Sequence, residues 1–316
     1  MQEILNQIIK KEIEQFDSIK SVKKINVGFT NTIYLLNDKY YLKICSNFDN
    51  EKKFKNEISF YLENKDNDYI PKLLRYSIEK HEIPYLYEII EKVPGSSLYN
   101  IWHTLTETQR KEFTKQICEL MKKFHSNKKP QYNWCDYIDN QILCHLKKLK
   151  QIHYFNEEEL ELINQARQLF HIFLASDDFV FVHNDIHFDN IIANKGKIKV
   201  IDFERSIIAP IDFELSIFFR MVRNPWKYAT EEIEQYTNID DYSMIPNYVR
   251  EFYPEILNVK YLEPRLAIYD ILDSIEKSYE HPTDLELKNI IINAAKTVIN
   301  SNIITLKDAT TLNKSQ

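Results

Sequence analysis

Three short apolar runs with polar residues between them make the stretch from Phe179 to Glu204 the most constraining part of the sequence. It reads FVFVHNDIHFDNIIANKGKIKVIDFE. Their length and apolar content are typical of β-strands, and the strands are predicted at residues 179–182, 190–193 and 198–201. The polar side chains at the strand ends and loops include Asp185, Asn190 and Asp202. Such positions can hold polar groups at a water-accessible edge on a rigid base.

Two acids and an amide in this order are the side chains that phosphoryl transfer requires. One carboxylate orients a hydroxyl nucleophile, and Mg²⁺ on the phosphates takes hard oxygen ligands. His183, Asp185 and Asn190 fit the pattern H-x-D-x-x-x-x-N of a kinase catalytic segment. A predicted strand then ends in Asp202-Phe203, like the kinase metal segment. An ordinary hairpin with solvated acids is the alternative, and the joint spacing favours the kinase interpretation.

The sequences HNDIHFDNII and IDFE resemble those of the aminoglycoside phosphotransferase and choline kinase superfamily, small-molecule kinases with a protein-kinase-like fold. The resemblance implies that Asp185 is the catalytic base and that Asn190 and Asp202 are magnesium ligands. Two positions depart from the pattern. Asn184 stands where the family often has glycine, and Glu204 stands where a protein kinase has glycine. Neither is expected to touch a reacting group, and Glu204 lies outside the matched metal motif.

Length, charge and cysteine content bound the class of protein. The chain has 316 residues and a net charge of −6, so it can bury a large core and has no broad basic surface for nucleic acid. No apolar run approaches the roughly 18 residues of a membrane span, and the N-terminus lacks a signal-peptide core. Four cysteines without metal-type spacing predict free thiols, so we expect a soluble cytoplasmic protein.

A glycine followed by small polar residues is a candidate phosphate-binding loop. Gly28, Thr30 and Asn31 follow a predicted strand at residues 24–27, and backbone N–H groups in such a loop can cover phosphates. A plain hairpin turn fits the composition equally well. The segment VGFTNTIYLL also resembles the G-x-[ST]-N-x-[VI]-Y loop of aminoglycoside phosphotransferases, which implies that these three residues bind nucleotide.

A lysine lies inside the predicted apolar strand at residues 40–44. A buried ammonium group is costly unless it is paired, and a helix predicted over residues 51–62 offers two acids. Glu57 is favoured because it lies beside Ile58 on the apolar face, and Glu51 is the alternative. A pair between Lys43 and Glu57 would match the strand lysine and helix glutamate that position nucleotide phosphates in kinases. A Lys43 exposed at a sheet edge is the other interpretation.

The segment EKVPGSSL follows strands predicted at residues 73–77 and 83–90, and its Pro-Gly turn ends the strand-rich part of the chain. It resembles the family's connector between lobes, which implies that the backbone of Glu91 and Val93 meets the adenine. We predict an α+β class with a bilobal protein-kinase-like fold. Residues 1–93 would form a strand-rich nucleotide-binding lobe, and residues 94–316 a mainly helical catalytic and substrate-binding lobe.

Six further helices are predicted. Apolar residues at helical spacing predict an amphipathic helix at residues 1–16 that packs on the body. Thr106 and Gln109 form a capping box that opens a helix, and others are predicted at residues 134–152, 156–174 and 262–280, with one from residue 230. The tail from Ser301 is expected to fray.

Glu214 stands where the family has a buried aspartate that supports the catalytic loop, with Asp212 as the alternative.

These features together predict an O-phosphotransferase that uses Mg²⁺ and ATP or GTP on a small-molecule hydroxyl acceptor. An aminoglycoside-type antibiotic is the first candidate acceptor, because a polycation would bind acids of the C-terminal region. Those acids are Asp240, Asp241, Asp270, Asp273, Glu276 and Glu280. Choline or another small alcohol or sugar is the alternative. Choline favours an aromatic cage, for which Trp226, Tyr228, Tyr269 and Tyr279 are candidates.

Two other classes are disfavoured. A protein kinase would carry an activation segment ending in A-P-E after Asp202-Phe203, and this chain has none. A non-catalytic binding module would have lost part of the set Lys43, Asp185, Asn190 and Asp202, all of which are present. We therefore expect an enzyme with a small cationic acceptor and with no nucleic-acid or membrane partner.

Overall fold

The computed structural model describes residues 1–14, 17–25, 31–130, 132–176 and 178–312, with side chains to residue 302. The β-strands are β1 (Val22–Ile25), β2 (Thr32–Leu36), β3 (Tyr40–Ile44), β4 (Leu73–Ser77), β5 (Tyr87–Glu91), β6 (Ser96–Ser97), β7 (Asn127–Lys128), β8 (Phe179–Val182), β9 (Ile191–Asn194), β10 (Lys197–Val200) and β11 (Ile207–Pro210). The α-helices are α1 (Gln2–Ile8), α2 (Glu51–Glu63), α3 (Leu98–Trp102), α4 (Glu107–Phe124), α5 (Trp134–Gln151), α6 (Glu157–Gln168), α7 (Phe170–Phe173), α8 (Leu215–Arg223), α9 (Glu231–Glu234), α10 (Ile245–Phe252), α11 (Leu262–Glu280) and α12 (Leu285–Leu312). Strands dominate the first hundred residues and helices dominate the remainder, which confirms the predicted α+β class.

The chain groups into two compact units. The first comprises Met1–Lys123, His183–Ile207 and Met221–Tyr248, and the second comprises Phe124–Val182, Ile208–Arg220 and Val249–Gln316. These units are defined by compactness and not by function. The predicted division into a nucleotide-binding lobe (residues 1–93) and a catalytic lobe (residues 94–316) therefore stays a prediction. Among the described residues we find no helix with both the length and the apolar character needed to cross a bilayer.

A five-stranded antiparallel sheet in the order β1-β2-β3-β5-β4 lies in the first unit. Its turn between β2 and β3 passes through Asn37 and Asp38, both at positive φ, and the Lys39 N–H closes it on the Leu36 carbonyl at 2.9 Å, as in a type I′ turn. Side chains alternate between the two faces of each strand. Leu42 and Ile44 therefore share one face of β3, and Lys43 lies on the other.

One face of this sheet is covered by α1 and the other face by α2. Leu42, Ile44 and Ile89 join a core cluster with residues of α1 and of the π-helical turn that follows it. Those helical residues are Leu5, Ile8, Ile9 and Ile13. The predicted amphipathic N-terminal helix is therefore confirmed over the described residues. On the opposite face, Cys45 and Leu86 cluster with residues of α2.

The strand predicted at residues 83–90 was wrong at its start. The structure begins β5 at Tyr87 and extends it to Glu91. Pro84 has no N–H to donate to a sheet ladder, which disfavours a strand through that position. Ile83 and Leu86 are nevertheless buried, so the apolar pattern indicated burial there rather than strand geometry.

A second, three-stranded sheet in the order β10-β9-β6 also lies in the first unit. A tight turn joins β9 and β10, and Lys195 and Gly196 adopt positive φ there. Gly95 precedes β6 with φ 131°, and an added Cβ would lie 2.2 Å from the Ala193 carbonyl oxygen. Only glycine fits where the connector crosses β9 so closely.

Helix prediction was accurate where capping and periodicity agreed. Thr106 and Gln109 exchange both bonds of the predicted capping box at the start of α4. The predicted helix at residues 262–280 matches α11, whereas the one at residues 156–174 is divided into α6 and α7. The expectation of a frayed tail from Ser301 was wrong for the backbone, since α12 continues to Leu312. Extending an existing helix adds one hydrogen bond per residue without a new nucleation step.

A fully buried ion pair lies among the helices of the second unit. The Arg265 guanidinium donates to both carboxylate oxygens of Asp212, at 2.6 and 2.7 Å. Its Nη1 donates to the Phe173 carbonyl at 2.8 Å, and the Tyr269 hydroxyl donates to Asp212 at 3.0 Å. Glu214, the other acid predicted to support the catalytic loop, lies 3.3 Å from the His125 ring nitrogen. Support for that loop from either acid stays a prediction.

We predict that Asp212→Asn destabilises the protein by about 3–5 kcal/mol, because it leaves a buried guanidinium without its counter-charge. Asp139→Asn is the control. Asp139 makes the same two-bond pair with Arg167, at 2.7 and 2.9 Å, but at a partly exposed position, so its loss should cost at most about 1 kcal/mol. Urea denaturation midpoints, followed by tryptophan fluorescence, measure the difference. Similar losses in the two variants would contradict the prediction.

Candidate active site

The Lys43 ammonium in β3 is the centre of a cluster of acids in the first unit. Its Nζ lies 2.7 Å from Glu57 Oε2 in α2 and 3.5 Å from Asp202 Oδ1. Of the two predicted helix partners, Glu57 is therefore the one that faces the lysine, whereas Glu51 pairs with Lys80. Burial opposes the charge of Lys43, but the surrounding carboxylates, first of all Glu57, outweigh it and raise the pKa of Lys43.

Glu57 also reaches the segment that carries Asp202. Its second oxygen, Oε1, accepts a bond of 3.4 Å from the Phe203 backbone N–H, while Oε2 pairs with Lys43. The Glu57 side chain is fully buried, so each of these donors supports a carboxylate that water cannot solvate. One carboxylate thus links β3, α2 and the residues after β10.

Phe203 anchors this segment in the core. Its ring stacks on Phe60 with centroids 3.9 Å apart and meets Tyr61 edge to face at 5.3 Å. The preceding residue, Asp202, has φ 67°, a left-handed conformation that is uncommon outside glycine. This backbone turn leaves the Asp202 side chain 41% exposed beside the buried phenylalanine. The carboxylate is therefore accessible to a ligand.

The predicted catalytic loop follows His183, whose Nε2 lies 3.2 Å from the Ile201 carbonyl oxygen. Asn184 adopts φ 57°, and its Nδ2 donates to the Arg205 carbonyl at 3.2 Å. Asparagine is enriched several-fold in this left-handed region, which explains why it can stand where the resembling sequences have glycine. Asn184 thus shapes the backbone immediately before Asp185.

Asp185 and Asn190 contact each other across the loop. Asn190 Nδ2 donates to the Asp185 carbonyl oxygen at 2.9 Å and to Asp185 Oδ2 at 3.2 Å. His187 Nε2 lies 3.7 Å from the same carboxylate. Burial opposes ionisation of Asp185, but the hydrogen bond and charge of His187, together with Arg205, lower its pKa to about 2. Asp185 is consequently an anion at neutral pH.

Oxygen atoms suited to a magnesium ion lie near Asp202. Asp202 Oδ1 is buried and accepts no hydrogen bond from the described residues, and oxygens of Asp202, Glu204 and Glu57 lie within 4.8 Å of one another. Glu57 is buried and paired with Lys43, whereas Asp202 and Glu204 are half-buried. Because Asn190 Nδ2 is used by Asp185, its Oδ1 is the atom left for a cation. Hard oxygens of this kind fit Mg²⁺.

Of the five other residues predicted to contact the nucleotide, the structure describes three. Gly28 and Thr30 lie outside the described residues. Asn31 is described, and its Nδ2 donates to Glu204 Oε2 at 3.2 Å. Glu91 ends β5 and Val93 follows it in the connector, both half-buried. The nucleotide roles of all five residues stay predictions.

Sequence reasoning missed two acids at this site. Glu204 lies outside the matched motif, yet it approaches Asp202. Glu88 belongs to a run whose apolar residues predict a strand, but it pairs in register with Lys43 across β3 and β5 and is fully buried. A charged residue inside the run YEII was the available signal. Asp189, in the same loop as Asp185, is half-buried and accepts a bond of 3.2 Å from the Ser97 hydroxyl.

Several acids proposed for a polycationic acceptor are already paired with basic residues. Asp241 binds Arg110 at 2.7 Å. In the second unit, Asp270 and Asp273 both pair with Arg220, and Asp273 also contacts Lys277 at 3.0 Å. Among the aromatic candidates, Tyr269 is buried beside Asp212, whereas the Tyr228 ring lies 5.5 Å from the His187 ring of the catalytic loop.

Comparison with solved structures identifies similar folds. Aminoglycoside phosphotransferase APH(2'')-Ib bound to ADP is 18% identical with a TM-score of 0.66, over 93% of this chain and 97% of that one. The streptomycin–ATP–APH(2'')-IIa ternary complex is 19% identical with a TM-score of 0.63, over 87% and 89% of the two chains. A thermostable mutant of APH(4)-Ia, in a ternary complex with AMP-PNP and hygromycin B, is 16% identical with a TM-score of 0.62, over 94% and 98%. These likenesses confirm the protein-kinase-like fold.

Comparison with curated protein sequences gives no match. The sequence model of a family described as "Phosphotransferase enzyme family" matches residues 21–244, which include the β3 lysine, the connector and the whole catalytic loop. Because that match covers more than half of the chain, this protein belongs to the phosphotransferase enzyme family.

Proposed function

We propose that this protein is a Mg²⁺-dependent small-molecule kinase that transfers the γ-phosphate of ATP or GTP to a hydroxyl group of an aminoglycoside-type acceptor. The observation that carries this proposal is the set of short contacts between Lys43, Glu57 and Asp202, in the same compact unit as the Asp185–Asn190 loop. Phosphoryl transfer relies on such a placement of charges more than on covalent chemistry. Reduced thiols at all four cysteines fit a cytoplasmic enzyme.

Each of these residues has a proposed role. Lys43, fixed by Glu57, binds phosphate oxygens of the nucleotide, and the connector backbone at Glu91 and Val93 meets the adenine. Asp202 and Asn190 would hold Mg²⁺, which when bound would neutralise charge on the nucleotide phosphates. Asp185 orients the acceptor hydroxyl and accepts its proton late in the reaction. Its low pKa makes it a weak base, which suits orientation better than early proton abstraction.

The acceptor class is supported by the fold neighbours, since the APH(2'')-IIa and APH(4)-Ia structures hold streptomycin and hygromycin B. One observation favours choline or another small alcohol as a second candidate. Three of the candidate acids for a polycation are neutralised by arginines, whereas the aromatic ring of Tyr228 lies beside the catalytic loop. Aromatic faces bind quaternary ammonium groups through cation–π attraction.

An acceptor panel tests the proposed function. Purified protein with Mg²⁺ and ATP or GTP is assayed for ADP or GDP release with gentamicin, streptomycin, hygromycin B, choline and a neutral sugar. We expect acceptor-dependent release with an aminoglycoside and a phosphorylated product of matching mass. Release with choline alone would replace the first candidate acceptor by the second. No release with any acceptor, under conditions in which the nucleotide binds, would contradict both.

We predict that Mg²⁺ with ATP or GTP raises the melting temperature, because a ligand at 100 times its Kd adds about 2.7 kcal/mol of stability. Asp202→Ala should abolish the Mg²⁺-dependent part of this shift, since it removes the accessible carboxylate beside Lys43. Glu204→Ala is the comparison and should lose less, because Glu204 accepts a hydrogen bond from Asn31 and lies outside the matched metal motif. Equal losses would show that the metal ligands are assigned incorrectly.

We predict that Asp185→Asn lowers kcat by about 10²–10⁴-fold, equivalent to roughly 3–5 kcal/mol of barrier, with the nucleotide Kd nearly unchanged. Asp189→Asn is the control, because asparagine Oδ1 can still accept from Ser97 and activity should be largely kept. A change of kcat between pH 5 and 8 should not come from Asp185, whose pKa of about 2 keeps it ionised there. Loss of turnover in Asp189→Asn but not in Asp185→Asn would show that the loop is read in the wrong register.

A further inference from the structure

Glu88 is a buried acid that the proposed mechanism does not use. It lies in β5 directly opposite Lys43 in β3, so the two side chains share the face of the sheet that α2 covers. Its side chain is fully buried. Among the described residues no N–H or O–H group donates to either of its oxygens, whereas Glu57 receives both Lys43 and the Phe203 N–H.

A buried carboxylate without hydrogen-bond donors is unstable as an anion, because it loses its hydration and gains nothing in return. A protonated carboxyl is itself a donor, and the Glu57 carboxylate binds the same Lys43 that lies directly opposite Glu88. Burial, followed by the nearby Glu57 carboxylate, raises the pKa of Glu88 well above its usual value. The ionisable groups facing Glu88 from the surrounding elements are Lys43 in β3, Glu57 and Tyr61 in α2, Tyr76 in β4 and Asp202 after β10.

We propose that Glu88 is a positioning residue held as a neutral acid, whose O–H donates to Glu57 and keeps that carboxylate aligned on Lys43 and Phe203. The lysine already has a counter-ion in Glu57, so a second full negative charge beside it would draw the ammonium away from Glu57. A neutral donor at this position instead strengthens the existing pair. The expected effect on nucleotide binding rests on the proposed kinase function. The expected protonation of Glu88 does not depend on that function.

The protonation state has a measurable consequence for stability. If Glu88 is neutral in the folded protein and ionised in the unfolded chain, the folded state binds one more proton. Stability relative to Glu88→Gln must then fall as pH rises above about 4.3, the ordinary glutamate value, until Glu88 ionises in the folded protein. Within that window the unfolding equilibrium constant of the wild type should rise about tenfold per pH unit relative to E88Q.

The first arm of the experiment measures urea unfolding of wild type, E88Q and E82Q from pH 5 to pH 8. Glu82 is an exposed acid that contacts Lys11 on the surface, so E82Q should keep the wild-type pH dependence. E88Q should gain stability over the wild type progressively as pH rises. Parallel curves for wild type and E88Q would overturn the proposal, because they would mean that Glu88 carries the same charge in both states.

The second arm compares E88Q with E88L in Mg²⁺–ATP binding at pH 7. The glutamine amide can donate to Glu57, so the Kd should stay within about threefold of the wild type. Leucine fills the space without a donor, and the Kd should rise about 10- to 100-fold, as for the loss of a hydrogen bond to a charged group. Equal affinity in E88L would overturn the positioning role. A wild type that binds no nucleotide would instead overturn the proposed function. The first arm would still show whether Glu88 is protonated in the folded protein.

Discussion

The burial of one ammonium group, that of Lys43, is the constraint on which the rest of the site depends. The alternation of β3 puts Leu42 and Ile44 into one core and leaves the lysine facing α2. A charge at that position is tolerable only with a close counter-charge, which fixes the rotation of α2 so that Glu57 points at the sheet. The second oxygen of Glu57 then holds the Phe203 N–H, and through it the position of Asp202. The Lys43–Glu57 ion pair thus fixes the relative positions of β3, α2 and the segment that follows β10.

Much of this arrangement could be predicted from local sequence, because period-two and helical patterns fix which face a residue occupies. The pattern of residues 40–44 predicted the buried lysine, and the apolar stripe of α2 favoured Glu57 over Glu51. Glu88 could not be placed in this way. Its neighbours Ile89 and Ile90 are compatible with a half-exposed strand, and only its pairing opposite Lys43 puts it inside. Strand order and register are properties of the whole sheet, so a local pattern does not contain them.

The acids of the C-terminal helices show that local sequence has the same limit for charged residues. Asp270 and Asp273 read as exposed acids on a helix, yet α11 is buried along most of its length and both pair with Arg220. The arginine comes from α8, some fifty positions earlier in the chain, and no spacing rule connects it to them. The Asp212–Arg265 pair is of the same kind. Acids on a helix therefore become evidence for a cationic ligand only after their internal partners are known.

The half-buried Asp185 and the fully buried Glu88 differ in the donors around them, and this difference distributes charge across the site. Asp185 receives Asn190 and lies near His187, so it is an anion despite its burial, whereas Glu88 receives no donor from the described residues and is, on our proposal, neutral. With Glu88 neutral, Lys43 and Glu57 cancel each other. The remaining negative charge then lies on Asp202 and Glu204, at the accessible side of the cluster. On the proposed function, a divalent cation would be favoured there, because the buried side of the cluster is already balanced and the charge of the cation would act on the carboxylates and on a bound phosphate.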